Sequence, residues 1–195
     1  MKTLSLLCAG MLTTMVLAQP VMAQAKKDSA VLAMTLEPTG LDPTAGAASA
    51  IAEITLYNVF ETLTKIGSDS RVTPLLAESW VASADLKTWT FKLKSGLKFH
   101  NGEPFSSANV KFSFERAVAK DSVNKDKAVF NNIERIDAPD ATTVVLNLKN
   151  GNPDLLFQLG QGTAIMVEPK SVITNNTQPV GTGPYSWKLG ARVRQ

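Results

Sequence analysis

The sequence holds one cysteine, Cys8, and one histidine, His100. A lone thiol excludes an intramolecular disulfide, and a lone imidazole excludes a two-histidine metal site. Any Ser/His/Asp triad would have to use His100. Blocks of like charge are missing too: 20 basic and 17 acidic residues are interspersed, leaving a net charge of +3. A scattered balance of that kind describes a solvated surface and points away from nucleic acid. The apolar run over residues 4–18 is short for a bilayer span, and no second one follows it. With 44% hydrophobic and 19% charged residues, neither disorder nor a membrane bundle is favoured, and 195 residues suffice for a real core without disulfides.

What is present begins with "MKTLSLLCAGMLTTMVLAQPVMAQAKK". A basic start at Lys2, an apolar stretch and the ending Val21-Met22-Ala23 read as a secretory signal peptide, residues 1–23, cleaved after Ala23. Lipid attachment at Cys8 would call for a small residue before it, whereas Leu7 stands there and the apolar run continues. Cys8 is therefore expected to leave with the leader. An exported chain without cysteine must hold itself together by packing, which suits a bacterial periplasm.

Along the mature chain, residues 30–36 read as a strand, and "EPTGLDPTAG" as the loop after it. Ile51, Ile54, Leu56, Val59, Phe60 and Leu63 recur at helical spacing, with Ser49 available as N-cap. "GSDS" at 67–70 is a turn, and "TPLLAESW" predicts one helical turn led by Pro74 before the chain extends. Trp89, Phe91 and Leu93 alternate with Thr90, Lys92 and Lys94, the period of a half-buried antiparallel strand. Gly96 interrupts it, and Asn101-Gly102 supplies turn chemistry. Ser106 or Ser107 then caps a helix whose stripe is Val110, Phe114, Ala117 and Val118. Residues 133–137 and 142–148 predict a hairpin with a loop around Pro139 and with Val144, Leu146 and Leu148 inward. "NPDLLFQL" reads as a short helix capped by Asn152, "GTAIMV" as a strand, "PKSVI" as a single turn, and "PVGTGPYSWKLG" as a glycine-bounded turn into a strand.

Candidate chemistry is sparse. His100 sits beside Asn-Gly, where a hydrogen-bonded turn histidine is the favoured reading over a catalyst, and no G-x-S-x-G elbow exists. Acids such as Asp137 and Asp140, or Glu115 and Glu134, fall in separate elements. The runs Gly160-Gln161-Gly162 and Gly181-Thr182-Gly183 lack the third glycine and the Lys-Ser/Thr ending of a phosphate loop, so turn glycines account for them. Trp80 and Trp89 read as packing residues.

Taken in order, "LDPT", "YNVFETL", "TPLLAESW", "LKTWTFKLKSGLKFHNGEPFSSANVKFSFERA" and "PVGTGPYSW" closely resemble the family 5 extracellular solute-binding proteins. These are the periplasmic receptors of ABC importers for oligopeptides, dipeptides and nickel chelates. The resemblance implies a mixed α/β fold of the periplasmic-binding-protein type II, here an incomplete first lobe carrying the family's extra α+β subdomain. It implies residues 24–43 as first-lobe strand and loop, 44–178 as the subdomain, and 179–195 as the return strand. The tail "KLGARVRQ" departs from the family pattern, and the second lobe is expected to be missing. A truncation, a frameshift product or a gene fragment would each leave sheet edges unpaired.

The function so implied is solute binding, with no enzyme activity, cofactor or metal. The solute would be a small peptide or chelated metal, the partner an ABC permease of the inner membrane, and the receptor a monomer. Carried over from relatives, the ligand contacts are Gly46, Ala47, Ala48 and Ser49, and an aromatic offered by Phe130. For Gly46 a flexible turn, and for Phe130 an ordinary core position, stand as the competing readings. A nonfunctional gene fragment is one alternative, and a secreted hydrolase or inhibitor domain acting through His100 or a carboxylate pair is the alternative of another class.

Overall fold

The computed structural model of the chain describes residues 35–45 and 49–188. The leader, residues 30–34 of the first predicted strand, the contacts Gly46, Ala47 and Ala48, and the tail from 189 on lie outside the described residues.

The first helix, α1, spans Ser49–Thr55, and three residues of it are buried: Ala50, Ile51 and Thr55. Helical spacing predicted continuation to Leu63, with Ser49 as cap, but Ser49 is itself the first helical residue. The helix stops because the amides of Val59 and Phe60 both donate to the Thr55 carbonyl, while Tyr57 turns to φ 62°. Tyr57 is held there by distant partners: its hydroxyl donates to the Gly160 carbonyl and accepts the Ile66 amide. Val59, Phe60 and Leu63 are buried all the same, from a non-helical backbone.

β1 (Thr64–Ile66) and β2 (Val72–Pro74) pair around the predicted 67–70 turn. The helical turn expected from Pro74 does not form. The amides of Leu76 and Ala77 instead donate to the carbonyls of Thr62 and Leu63, so the segment is bonded sideways rather than to itself. β3 (Ala77–Ala82) and β4 (Thr88–Leu93) follow, β4 burying every second residue as its alternation requires.

Helix α2 spans Ser107–Ala117 with Ser106 as N-cap. The Ser106 amide donates to Asn109 Oδ1 at 2.8 Å and the Asn109 amide to the Ser106 carbonyl at 3.0 Å, which closes the helix start. Val110, Phe114 and Ala117 are buried, whereas Val118 terminates the helix and is 36% exposed, outside the predicted stripe. After α3 (Lys127–Asn131) come β5 (Ile133–Asp140) and β6 (Thr143–Leu148). β5 runs through Pro139 instead of looping there. Proline is tolerated because β5 is a sheet edge and its register is irregular between Asp137 and Asp140.

The four antiparallel strands lie in the order β3-β4-β6-β5. Trp89 pairs with Leu146 and Phe91 with Val144, so one face carries the apolar set of both central strands. α2 and α3 cover that face, Phe114 and Phe130 meeting at 5.3 Å between ring centroids. Phe91, Phe114, Val144 and Leu146 are at most 2% exposed, each burial stabilising by about 1.5–3 kcal/mol. Trp80 and Trp89 flank Phe91 at 6.4 and 6.5 Å, as packing residues do.

Asp154 rather than Asn152 stands at the N-cap position of α4 (Leu155–Gln158), without a side-chain capping bond, and Asn152 Oδ1 accepts the Asp154 amide. Residues 162–167 form no strand. A 3-10 turn at Gly162–Ala164 leads into a buried extended run, where the Met166 amide reaches the Glu61 carbonyl and the Val167 amide the Ser113 hydroxyl. The single turn at Pro169–Ser171 forms, its start capped by Glu168. No strand forms at 184–188 either; Gly183 and Tyr185 give their amides to the carbonyls of Val59 and Asn58.

Candidate functional site

Asp42 is 1% exposed, and a carboxylate so buried must find donors for both oxygens. Its Oδ1 accepts the Thr44 amide at 2.9 Å and the Thr44 hydroxyl at 2.6 Å. Oδ2 accepts Arg116 Nη2 at 2.7 Å, and Arg116 Nη1 donates to the Thr44 hydroxyl oxygen. The Ala45 amide completes a turn on the Asp42 carbonyl. The chain thus enters residues 46–48 from a fixed point, and resumes at Ser49 on α1, itself anchored by buried Ala50 and Ile51.

Beside this junction lies a cavity of about 580 Å³. Pro43, Ser49 and residues 161–163 line it, and Glu53, Lys125 and Asp126 contribute charge. Thr163 is braced by its own bonds: its hydroxyl donates to Asp126 Oδ2 at 2.7 Å, and buried Asn124 donates to the Thr163 carbonyl at 2.9 Å. Hydroxyl, amide, ammonium and carboxylate groups around an open groove suit hydrogen bonding to a small polar solute with charges of both signs. Among the described residues, no group of three His, Cys, Asp or Glu side chains could hold a metal.

Of the predicted contacts that the structure describes, Ser49 is exposed at the cavity rim. Phe130 is 3% exposed against Phe114 and borders a separate cleft with Lys111 and Ile136, so it does not share a cavity with Ser49. Sequence reasoning missed Gln161, Thr163 and the Asp42, Thr44 and Arg116 ring. The "LDPT" and "FERA" stretches were conspicuous, yet nothing local pairs them across 74 positions.

His100 is a backbone clasp. Its Nε2 lies 2.8 Å from the Gly183 carbonyl oxygen, and its Nδ1 accepts the Gly181 amide at 3.3 Å. Nearby, burial pushes the Glu61 carboxyl above its usual range, against the opposing pull of the Thr182 hydroxyl and of the positive charges of Lys94 and Lys65. Thr182 Oγ1 is buried and faces Glu61 without closing a bond of ordinary geometry. Glu168 moves the other way. Burial would raise it, but the Ser171 hydroxyl, the Lys170 amide and the Lys170 charge together hold it below the usual carboxylate value.

The model of the bacterial extracellular solute-binding proteins, family 5 Middle, matches residues 71–191. A glutathione-binding protein, GsiB, of Pectobacterium atrosepticum is 34% identical over 184 residues, covering 92% of this chain and 35% of its own. The glutathione-binding protein of Escherichia coli K12 is 31% identical over 167 residues, covering 84% and 32%. Among solved structures, the binding protein AgaA in complex with agropinic acid, from A. tumefaciens R10, superposes with a TM-score of 0.74 at 30% identity, over 81% of this chain and 33% of that one. OppA of Haemophilus influenzae, at 23% identity and a TM-score of 0.70 over 80% and 34% of the two chains, shows the shared fold. The chain spans about a third of the length of the relatives it matches. Among the described residues, no helix is long and apolar enough to cross a membrane.

Proposed function

The chain belongs to the bacterial extracellular solute-binding proteins of family 5, and on that premise we propose that it forms one wall of a solute receptor serving an ABC importer. The observation that carries the reading is the groove beside Ser49, where the resemblance to the family locates ligand contact. Relatives are named for glutathione, and structural neighbours hold the peptides RPPGFSPFR and STSA or a nickel–histidine chelate. All of these carry amino-acid carboxylate and amine groups, which Glu53, Lys125, Asp126, Gln161 and Thr163 are equipped to meet. The proposed solute is a small peptide or a chelated amino acid, with glutathione the first to test. Residues 46–49 would touch it, while Phe130 at 3% exposure would support the wall from within.

The same proposal includes export to the periplasm with residues 1–23 removed, an inner-membrane permease as partner, and a monomeric state. It also divides the chain at 43/44 and 178/179. In a receptor of this kind, closure of a hinge around the solute shifts the population of conformers that the permease meets. Against a hydrolytic reading through His100 stands the engagement of both its ring nitrogens by backbone groups.

An open wall encloses far less than the 70–90% of a ligand's surface that tight pockets bury, so affinity of about millimolar strength is expected. Titration of the 195-residue chain with glutathione, followed by amide chemical shifts, tests this. Shifts concentrated at Ser49, Gln161 and Thr163 are expected. No shift in that region with glutathione or short peptides would sink the reading, and micromolar affinity by calorimetry would overturn the one-wall account.

A further inference from the structure

We infer that Arg116 is a positioning residue for the solute-facing wall, acting through Asp42 and Thr44 and not by touching the solute. The inference rests on the proposed receptor function. Arg116 stands in the last turn of α2, where a cation is favoured by the helix dipole, and α2 is bolted to the sheet by Val110, Phe114 and Ala117. A rigid helix therefore delivers two guanidinium N–H groups into a ring, Nη2 to Asp42 Oδ2 and Nη1 to Thr44 Oγ1, which Thr44 closes onto Asp42 Oδ1. Pro43, held between Asp42 and Thr44, lines the same cavity as Ser49, four residues beyond Ala45, so the ring sets the position of that part of the wall.

Stability alone is a poor account of this ring. A buried ion pair is commonly neutral when compared with apolar residues of the same volume, because desolvation offsets attraction, whereas its geometry imposes a unique arrangement. Two parallel N–H groups from one planar head hold Asp42 and Thr44 in a fixed relation, which a single ammonium cannot do.

The test is amide hydrogen exchange on the full chain, comparing Arg116→Lys with the wild type. The expected result is exchange at Thr44 and Ala45 faster by about tenfold or more, with the β4 and β6 amides unchanged. Protection at Thr44 and Ala45 equal to wild type would overturn the inference, since charge without the fork would then suffice. Acceleration throughout β4 and β6, or failure of this mild variant to fold, would overturn it in favour of a global staple. A parallel glutathione titration keeps the two ideas apart: a wild type that binds nothing removes the receptor reading while the exchange result still decides what Arg116 positions. Where the wild type binds, Arg116→Lys is expected to weaken binding about tenfold at an unchanged melting temperature, and unchanged affinity would again overturn the inference.

Discussion

His100 and Gly183 are 83 positions apart in the chain, yet the imidazole Nε2 donates to the Gly183 carbonyl at 2.8 Å. The direction of that bond follows from the other nitrogen: Nδ1 accepts the Gly181 amide, so the ring proton resides on Nε2. The backbone of His100 adds a third link, its amide donating to the Gly181 carbonyl at 2.9 Å. One turn of the 98–104 loop thereby holds the 181–183 segment.

Replacing His100 by Ala leaves the Gly181 amide and the Gly183 carbonyl without these partners. The expected cost is about 1–3 kcal/mol, read from the urea midpoint, with Gln recovering part of it. An unchanged midpoint for the Ala variant would show that water replaces the ring at no loss.

Gly181→Ala and Gly96→Ala should separate close approach from backbone strain. A Cβ at Gly181 would meet the Val59 carbonyl oxygen at 1.9 Å, and backbone cannot step aside cheaply. A Cβ at Gly96 meets nothing within 4 Å, leaving only its φ of +73° to resist. The expected losses are about 3 kcal/mol or more for Gly181 and about 1–2 kcal/mol for Gly96. Equal losses in denaturant titrations would contradict the packing of the 181–183 segment against Val59.

Burial of Glu61 sets the sign of a pH dependence. Burial raises its carboxyl in the folded state above the unfolded value, so the fold favours the neutral form. That contribution is complete below the unfolded carboxylate range, about pH 4, and is lost as pH rises through the folded value. Glu61→Gln, neutral throughout, is expected to match wild type near that pH and to exceed it in stability at neutral pH. Glu168 and Asp140 act oppositely, their lowered values giving stability that disappears on acidification. Urea titrations across pH would expose a wrong sign directly, as a Gln variant weaker than wild type at neutral pH.

Asn109 is 9% exposed and accepts the Ser106 amide at the start of α2. Asn109→Ala removes that acceptor and should cost about 1 kcal/mol, visible as a lower melting temperature. Asn109→Asp, which keeps the acceptor and adds negative charge near a helix N-terminus, should lose less.

Local repetition made part of the fold legible. The alternation of Trp89, Phe91 and Leu93 specified β4 and its buried face, and the 3.6-residue spacing of Val110, Phe114 and Ala117 specified α2. Gly102 adopts φ 86° where Asn101-Gly102 announced a turn. In each case the determining residues are a few positions apart, so the pattern is complete within the window being read.

Other features were decided by partners far along the chain. α1 ends early because Tyr57 reaches Gly160, 103 positions away. Residues 75–77 extend because Thr62 and Leu63 offer carbonyls. Pro139 stays in a strand because that strand became an edge. In the candidate site, family resemblance singled out Ser49 as an expected contact, whereas the groove it lines and the Asp42–Arg116 ring came into view only with the fold. Sequence by itself determined the elements whose hydrogen bonds and apolar periods are local. Tertiary structure alone decided where those elements stop and which buried polar groups find each other, since a buried donor or acceptor bonds to whatever folding brings within 3 Å of it.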